Sequence, residues 1–208
     1  MIEIPISTEA LGNLFVGAVG AVLTLVFQKL VSWWRRPILQ IECDTGAGFR
    51  VPRASRDRNG NTLSLIWLRV RVRNTGRSPA KSVRLFVTRY GELGRESEER
   101  ERLATDPAAL YWSHSNHMED TNDRLVASLS PKSHRFVDFL VACDEQYPRL
   151  QLNSPTDDGQ FLDSAIRLNG GTVEFMAVTE SGESSVVVAA FAWEGNSTSL
   201  NWLPQKGQ

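Results

Sequence analysis

Residues 63–90, LSLIWLRVRVRNTGRSPAKSVRLFVTRY, decide the fold class. Ile66, Leu68, Val70 and Val72 alternate with Trp67, Arg69, Arg71 and Arg73, and Val83, Leu85 and Val87 repeat the alternation farther on. A period of two places the apolar set on one side of a pleated strand, so each run predicts a strand with one buried face. Asn74, Gly76 and Pro79 between the runs suit a turn, and Ala80 is small where the next strand begins to pack. Similar patterns predict strands over Leu39–Cys43, Leu125–Leu129, Arg135–Cys143, Thr172–Thr179 and Ser185–Trp193. Short strands separated by Gly, Pro, Asn and Ser turns predict an all-β body, an immunoglobulin-like β-sandwich, with a small β-barrel as the alternative.

Upstream of this body the chain changes character. Ala10–Gln28 has no charged residue, and with Lys29 reaching toward the surface the apolar stretch continues to Trp34. That length predicts a transmembrane helix, because about 20 apolar residues cross the hydrocarbon core and a helix satisfies its own backbone there. Trp33 and Trp34 suit an interfacial aromatic belt, Arg35 and Arg36 follow as further anchors, and Pro37 ends the helix. Glu3 and Glu9 at the start and SWWRRP at the end do not fit a cleavable signal, and the helix lacks the polar face of a soluble-domain helix. The expected organisation is a short extracytoplasmic N-terminus (1–9), a transmembrane helix (10–36), a cytoplasmic sandwich (37–195) and a polar tail (196–208). Basic residues follow the span and none precedes it, which predicts a single-pass inner-membrane protein with its N-terminus outside and its body in the cytoplasm.

Within the span, Asn13, Gly17, Gly20, Thr24 and Gln28 fall on one helical face, and Gly17 with Ala21 forms a small-xxx-small pair. Small residues let helix backbones approach in lipid while amides and hydroxyls bond across, so this face is the expected seam of a homo-oligomer. Two inserts interrupt the strands: Gly91–Pro107 reads as a solvated loop or short exposed helix, and residues 147–168 carry no assignable pattern. The tail after Trp193 is expected to fray, although Trp202 and Leu203 could dock back.

The membrane helix followed by WWRRPILQIECD, WLRVRVRNTGRSPAKSVRLFVTRY, YWS and LSPKSHRFVDFL resembles a group of uncharacterised bacterial membrane-anchored proteins with an immunoglobulin-like body. The resemblance implies fold and placement, and it carries over no catalytic residue.

Chemistry-bearing residues are sparse. His114 and His117 precede Glu119, Asp120 and Asp123, but the spacing lacks the distant ligands of a zinc site, so no metal and no cofactor is expected. Cys43 and Cys143, the two cysteines, are expected as reduced buried thiols in a cytoplasmic body. No serine sits in a nucleophile elbow and no Gly-rich phosphate loop occurs, so the chain does not read as an enzyme. With Ile66 to Val72 facing inward, Trp67, Arg69, Arg71 and Arg73 should face outward, with Arg77 in the turn, as a stripe suited to an anionic ligand or acidic protein. A formal net charge of −1 argues against nucleic acid as a partner. The functional expectation is a membrane-anchored cytoplasmic recognition or sensor module, non-catalytic, whose partners are the bilayer, further copies of itself and a cytoplasmic protein or small anionic ligand. The alternative is an oligomerising, defence-like effector that perturbs the membrane through its helix when triggered.

Overall fold

The computed structural model describes residues 8–56, 60, 62–92, 102–113, 125–143, 149–152, 170–182, 184–194 and 197–204. The chain divides into two units, residues 1–36 and 37–208. The first contains α1, Thr8–Arg35, whose 28 residues give a rod about 42 Å long. Its Gly17–Arg35 portion is long and apolar enough to cross a membrane, with mean hydropathy 1.3 and none of it buried.

The second unit is built from two open antiparallel sheets, with no closed barrel among the described strands. In the five-stranded sheet, β3 (Thr62–Asn74) carries β1 (Leu39–Glu42) and β2 (Arg50–Arg56) in succession along one edge. Its other edge pairs with β7 (His134–Cys143), which in turn pairs with β8 (Arg149–Leu152). In the six-stranded sheet, β4 (Ala80–Glu92) carries β5 (Arg102–Ala109) and β6 (Ala127–Leu129) along one edge. β9 (Gly171–Val178), β10 (Ser184–Ala192) and β11 (Asn201–Trp202) extend it on the other side.

The alternation read from β3 and β4 sets the core. Ile66, Leu68, Val70 and Val72 are buried on the first sheet, and Val83, Leu85 and Val87 on the second. Between the sheets, Phe139 of β7 stacks on Trp202 of β11 with ring centroids 5.6 Å apart, and meets Phe175 and Phe191 edge-on at 4.9 and 6.0 Å. Such aromatic pairs add about 0.5–1.5 kcal/mol each beyond their buried area. Trp202 also donates its indole N–H to the Arg69 carbonyl at 2.8 Å, so the end of the chain bonds the central strand of the opposite sheet.

Four strands lie where the sequence predicted none: β2, β5, β8 and β11. Gly91–Pro107 is not simply a solvated loop, because β4 runs through Glu92 and β5 begins at Arg102. Charged residues there hide a strand that ladder hydrogen bonds support without period-two apolar patterning. The tail does not simply fray: Ser197–Ser199 forms a 3-10 turn and Trp202 is buried, because burying an indole offsets the cost of ordering a few polar residues.

Asn74 closes the turn between the sheets. Its Oδ1 accepts the Ile38 and Gly76 amides at 3.2 and 3.0 Å, and its Nδ2 donates to the Ser78 and Leu129 carbonyls at 2.7 and 3.1 Å. One buried amide thereby satisfies four backbone groups from β1's start, the turn and β6. Asn74→Ala should destabilise the body by about 3 kcal/mol, since buried backbone groups lose their partners. Asn74→Asp, which turns two donors into acceptors, should be at least as harmful at neutral pH; urea denaturation of the full-length protein in mild detergent measures both.

Candidate functional site

The outer face of the five-stranded sheet carries the stripe. On β3, Trp67 lies opposite Val51 and Val141, Arg69 opposite Asp138, Arg71 opposite Glu42 and Phe136, and Arg73 opposite Gln40 and His134. The alternation therefore assigns all four to the correct side. Their exposure differs sharply.

Arg69 is buried, with 5% of its surface exposed, and its Nε donates to Asp138 Oδ1 at 2.6 Å. The same oxygen accepts the Ser113 hydroxyl at 2.5 Å. Residues 111–113 lie along β7: Trp112 bridges to Val137, the Ser113 amide donates to the Phe136 carbonyl, and the Asp138 amide donates to the Tyr111 carbonyl. The expected open row of three arginines is thus corrected, because strand alternation reports the side of a sheet and not what a distant segment lays beside it. A buried charge persists only when paired and hydrogen-bonded, and the Asp138 carboxylate meets that condition.

Arg71 is half-buried and donates through Nε to Glu42 Oε2 at 2.5 Å, with its guanidinium 5.0 Å from the Phe49 ring centre. Phe49 in turn meets Phe136 edge-on at 5.4 Å. Gly48, at φ +92°, lets the chain turn in here; a Cβ on it would stand 3.0 Å from the Phe136 ring. Arg73 and Arg77 are exposed. The stripe is consequently one buried ion pair, one half-buried ion pair and two exposed cations.

Two donors on this face lack an acceptor. Trp67 Nε1 and Arg69 Nη2 are buried and have no hydrogen-bond partner, as is also true of Trp193 Nε1 elsewhere. An unsatisfied buried donor costs about 1–3 kcal/mol, so a pair on neighbouring positions of one face marks a place where an acceptor is worth having.

Asp138, Ser113, Glu42 and Phe49 were not singled out in the sequence. A signal existed for Asp138, a lone acid between Val137 and Phe139 in an otherwise apolar run, since such an acid is rarely buried without a partner. Ser113, Glu42 and Phe49 carry no comparable local mark.

His114, His117, Glu119, Asp120 and Asp123 lie outside the described residues, among which no group of three or more His, Cys, Asp or Glu could hold a metal. Cys43 is free and buried, and burial first, then the Glu42 charge, pushes its thiol far above the ordinary range. By register, Cys143 opposes Leu65, whereas Glu42, beside Cys43, opposes Arg71 across the other edge of β3. The two backbones are therefore well beyond disulfide reach.

On α1, Gly17 and Gly20 would leave an added Cβ with nothing within 4 Å, so this face of the backbone is open. The Thr24 hydroxyl donates to the Gly20 carbonyl at 2.8 Å, while Ala21 and Gln28 are exposed and the Asn13 side chain lies outside the described residues. Trp33 and Trp34 are exposed at the helix end, with the Arg36 guanidinium 5.5 Å from the Trp33 ring centre and Arg35 in the last turn.

No family model matches the chain, and no curated protein matches it.

Asp138→Ala should cost about 3–5 kcal/mol by stranding the buried Arg69 guanidinium, whereas Glu42→Gln at the half-exposed pair should cost about 1 kcal/mol or less. Urea titration of the two variants side by side checks the contrast. In a Cys143→Ser background, Cys43 should stay unreactive toward a thiol reagent at pH 8 and react only on unfolding. Because the folded thiol keeps its proton longer than the unfolded one, its contribution to stability is full below the unfolded pKa of about 8.5 and declines above it. Denaturation midpoints from pH 7 to pH 10, compared with Cys43→Ala, read that decline.

Proposed function

We propose that the chain is a membrane-anchored recognition module. In this reading α1 spans the inner membrane of a bacterium with its N-terminus outside, and an immunoglobulin-like body in the cytoplasm binds an anionic group on a protein or small molecule. The carrying observation is the pair of buried, acceptor-less donors, Trp67 Nε1 and Arg69 Nη2, on one sheet face. Carboxylate or phosphate oxygens are the acceptors that such N–H groups take best, especially from a guanidinium. The two-sheet body supports the reading as a scaffold, since a rigid sheet holds donors two residues apart at a fixed spacing of about 7 Å.

The effector alternative draws support from the open Gly17 and Gly20 backbone on an unburied helix, which suits close helix association in lipid.

Trp67→Phe tests the first reading, because it keeps a ring and removes only the indole donor. The full-length protein in mild detergent should gain thermal stability from at least one of inorganic phosphate, a nucleoside triphosphate or a polyglutamate peptide. Binding at a hundredfold excess over Kd is worth about 2.7 kcal/mol. The variant should lose most of that gain while its unliganded stability stays level. A chain indifferent to all three anions would remove the anion reading. Expression that arrests bacterial growth, relieved by Gly17→Leu with Gly20→Leu, would instead select the effector.

A further inference from the structure

The C-terminal half of α1 carries an open groove lined by Val22, Leu25, Val26, Gln28, Lys29 and Ser32. From Val22 to Ser32 it runs about 15 Å, half the thickness of a hydrocarbon core of about 30 Å. One end is apolar, and the other carries an ammonium, a hydroxyl and a carboxamide. Thr24, whose hydroxyl donates to the Gly20 carbonyl, points about 140° away from Lys29. The groove is therefore a different side of the helix from the small-residue face, with Gln28 at the border.

Two cations converge on the polar end. Arg36 stands two turns beyond Lys29, and its amide still bonds the Trp33 carbonyl at 3.4 Å, so the coil continues through it and returns it to the Lys29 side. Helical side chains lean toward the N-terminus, and Arg36 does so here: its guanidinium lies 5.5 Å from the Trp33 ring centre, back toward Lys29. Stacking uses the flat face of a guanidinium and leaves its in-plane N–H donors available. The Lys29 stem is long enough to carry its ammonium about one turn the other way, past Ser32. Both cations are exposed, and no Asp or Glu occurs from Ala10 to Ile41, so the helix itself places no acid within their reach.

We propose that this groove binds one anionic phospholipid, with an acyl chain along Val22, Leu25 and Val26 and the phosphodiester between Lys29, Ser32 and Arg36. The proposal rests on the reading of α1 as a membrane span, and every residue in it belongs to the helix unit. Charge and length select the occupant together. A phosphate takes the fork of a guanidinium and the point charge of an ammonium, and the groove has the length of one leaflet's hydrocarbon half. A free phosphate would satisfy the cations and leave the apolar part uncovered. A zwitterionic lipid would cover the apolar part but bring a third cation to the other two.

The test uses the full-length protein in dodecyl maltoside micelles, with bound lipid counted by native mass spectrometry. The probes are dioleoylphosphatidylglycerol, dioleoylphosphatidylcholine and glycerol phosphate. Phosphatidylglycerol should be retained at roughly tenfold lower concentration than phosphatidylcholine, and glycerol phosphate should not be retained. K29Q and R36Q should each remove most of the preference, whereas R35Q, which deletes the same charge about 100° round the helix from Arg36, should keep most of it. L25W, which fills the groove, should lower retention of both lipids, and F27W on the far side should not. The preference of the unaltered protein is read in one sample, so a variant that fails to fold does not remove the test. Equal retention of the two lipids, retention of glycerol phosphate, or a loss in R35Q as large as in R36Q would overturn the site while leaving the span in place. A full-length protein that stays monodisperse after the detergent is removed would overturn the span itself.

Discussion

A single irregularity in β7 organises both sides of the five-stranded sheet. The register passes from Leu68 opposite Leu140 to Arg69 opposite Asp138, which leaves Phe139 with no residue across from it on β3. The extra residue lets Phe139 and Leu140 both be buried in the core while Asp138 stays opposite Arg69. Phe139 then fills the space between the sheets against Phe175, Phe191 and Trp202. Without the bulge, a strict period of two that keeps Val137 and Phe139 inward would turn Leu140 and Ala142 out of the core, and one that keeps Leu140 and Ala142 inward would turn Phe139 out and carry Asp138 in. The bulge therefore lets the aromatic contact between the sheets, the packing of Leu140 and Ala142 and the buried ion pair coexist.

The ion pair itself is a constraint more than a source of stability. Desolvating two charges offsets most of their attraction, so the pair's main effect is on register: a slip of β3 against β7 would leave two buried charges without each other. Ser113 extends the constraint to the segment after β5, because its hydroxyl shares the Asp138 oxygen and its amide bonds the Phe136 carbonyl. A chain that leaves one sheet at Ala109 is thus fastened to the other three residues later. Asn74 plays the neutral counterpart at the far end of β3, tying the entry of the chain, the turn between sheets and β6 with one amide. Its four partners are backbone groups, which suits a junction that must be rigid whatever side chains surround it.

These two junctions divide the arginines of β3 by task. Arg69 and Arg71 are consumed by Asp138 and Glu42 in holding the sheet together, whereas Arg73, at the end of β3, is exposed. A residue type that looks uniform along a strand therefore does structural work at one end and stands exposed at the other. The unpaired donors of Trp67 and Arg69 lie on the structural side of that division, in a buried setting where an acceptor oxygen would gain more than it could at the surface.

The sequence alone determined the apolar helix, the all-β body and the inward residues of β3 and β4, because burial on one face writes itself as a period that needs no knowledge of distant residues. Trp202 was legible as a docking aromatic for the same reason: an indole in a polar tail has little else to do. β2 and β5 were not legible, since Arg50–Arg56 and Arg102–Ala109 owe their extension to backbone pairing with β3 and β4, not to a local pattern. Tertiary structure alone decided that Arg69 is buried while Arg73 is exposed. Both occupy equivalent places in the alternation, and only the chain that passes beside each, residues 111–113 in one case and the open β1 edge in the other, separates them. Alternation fixes direction; exposure depends on contacts more than 30 residues away, which no local period records.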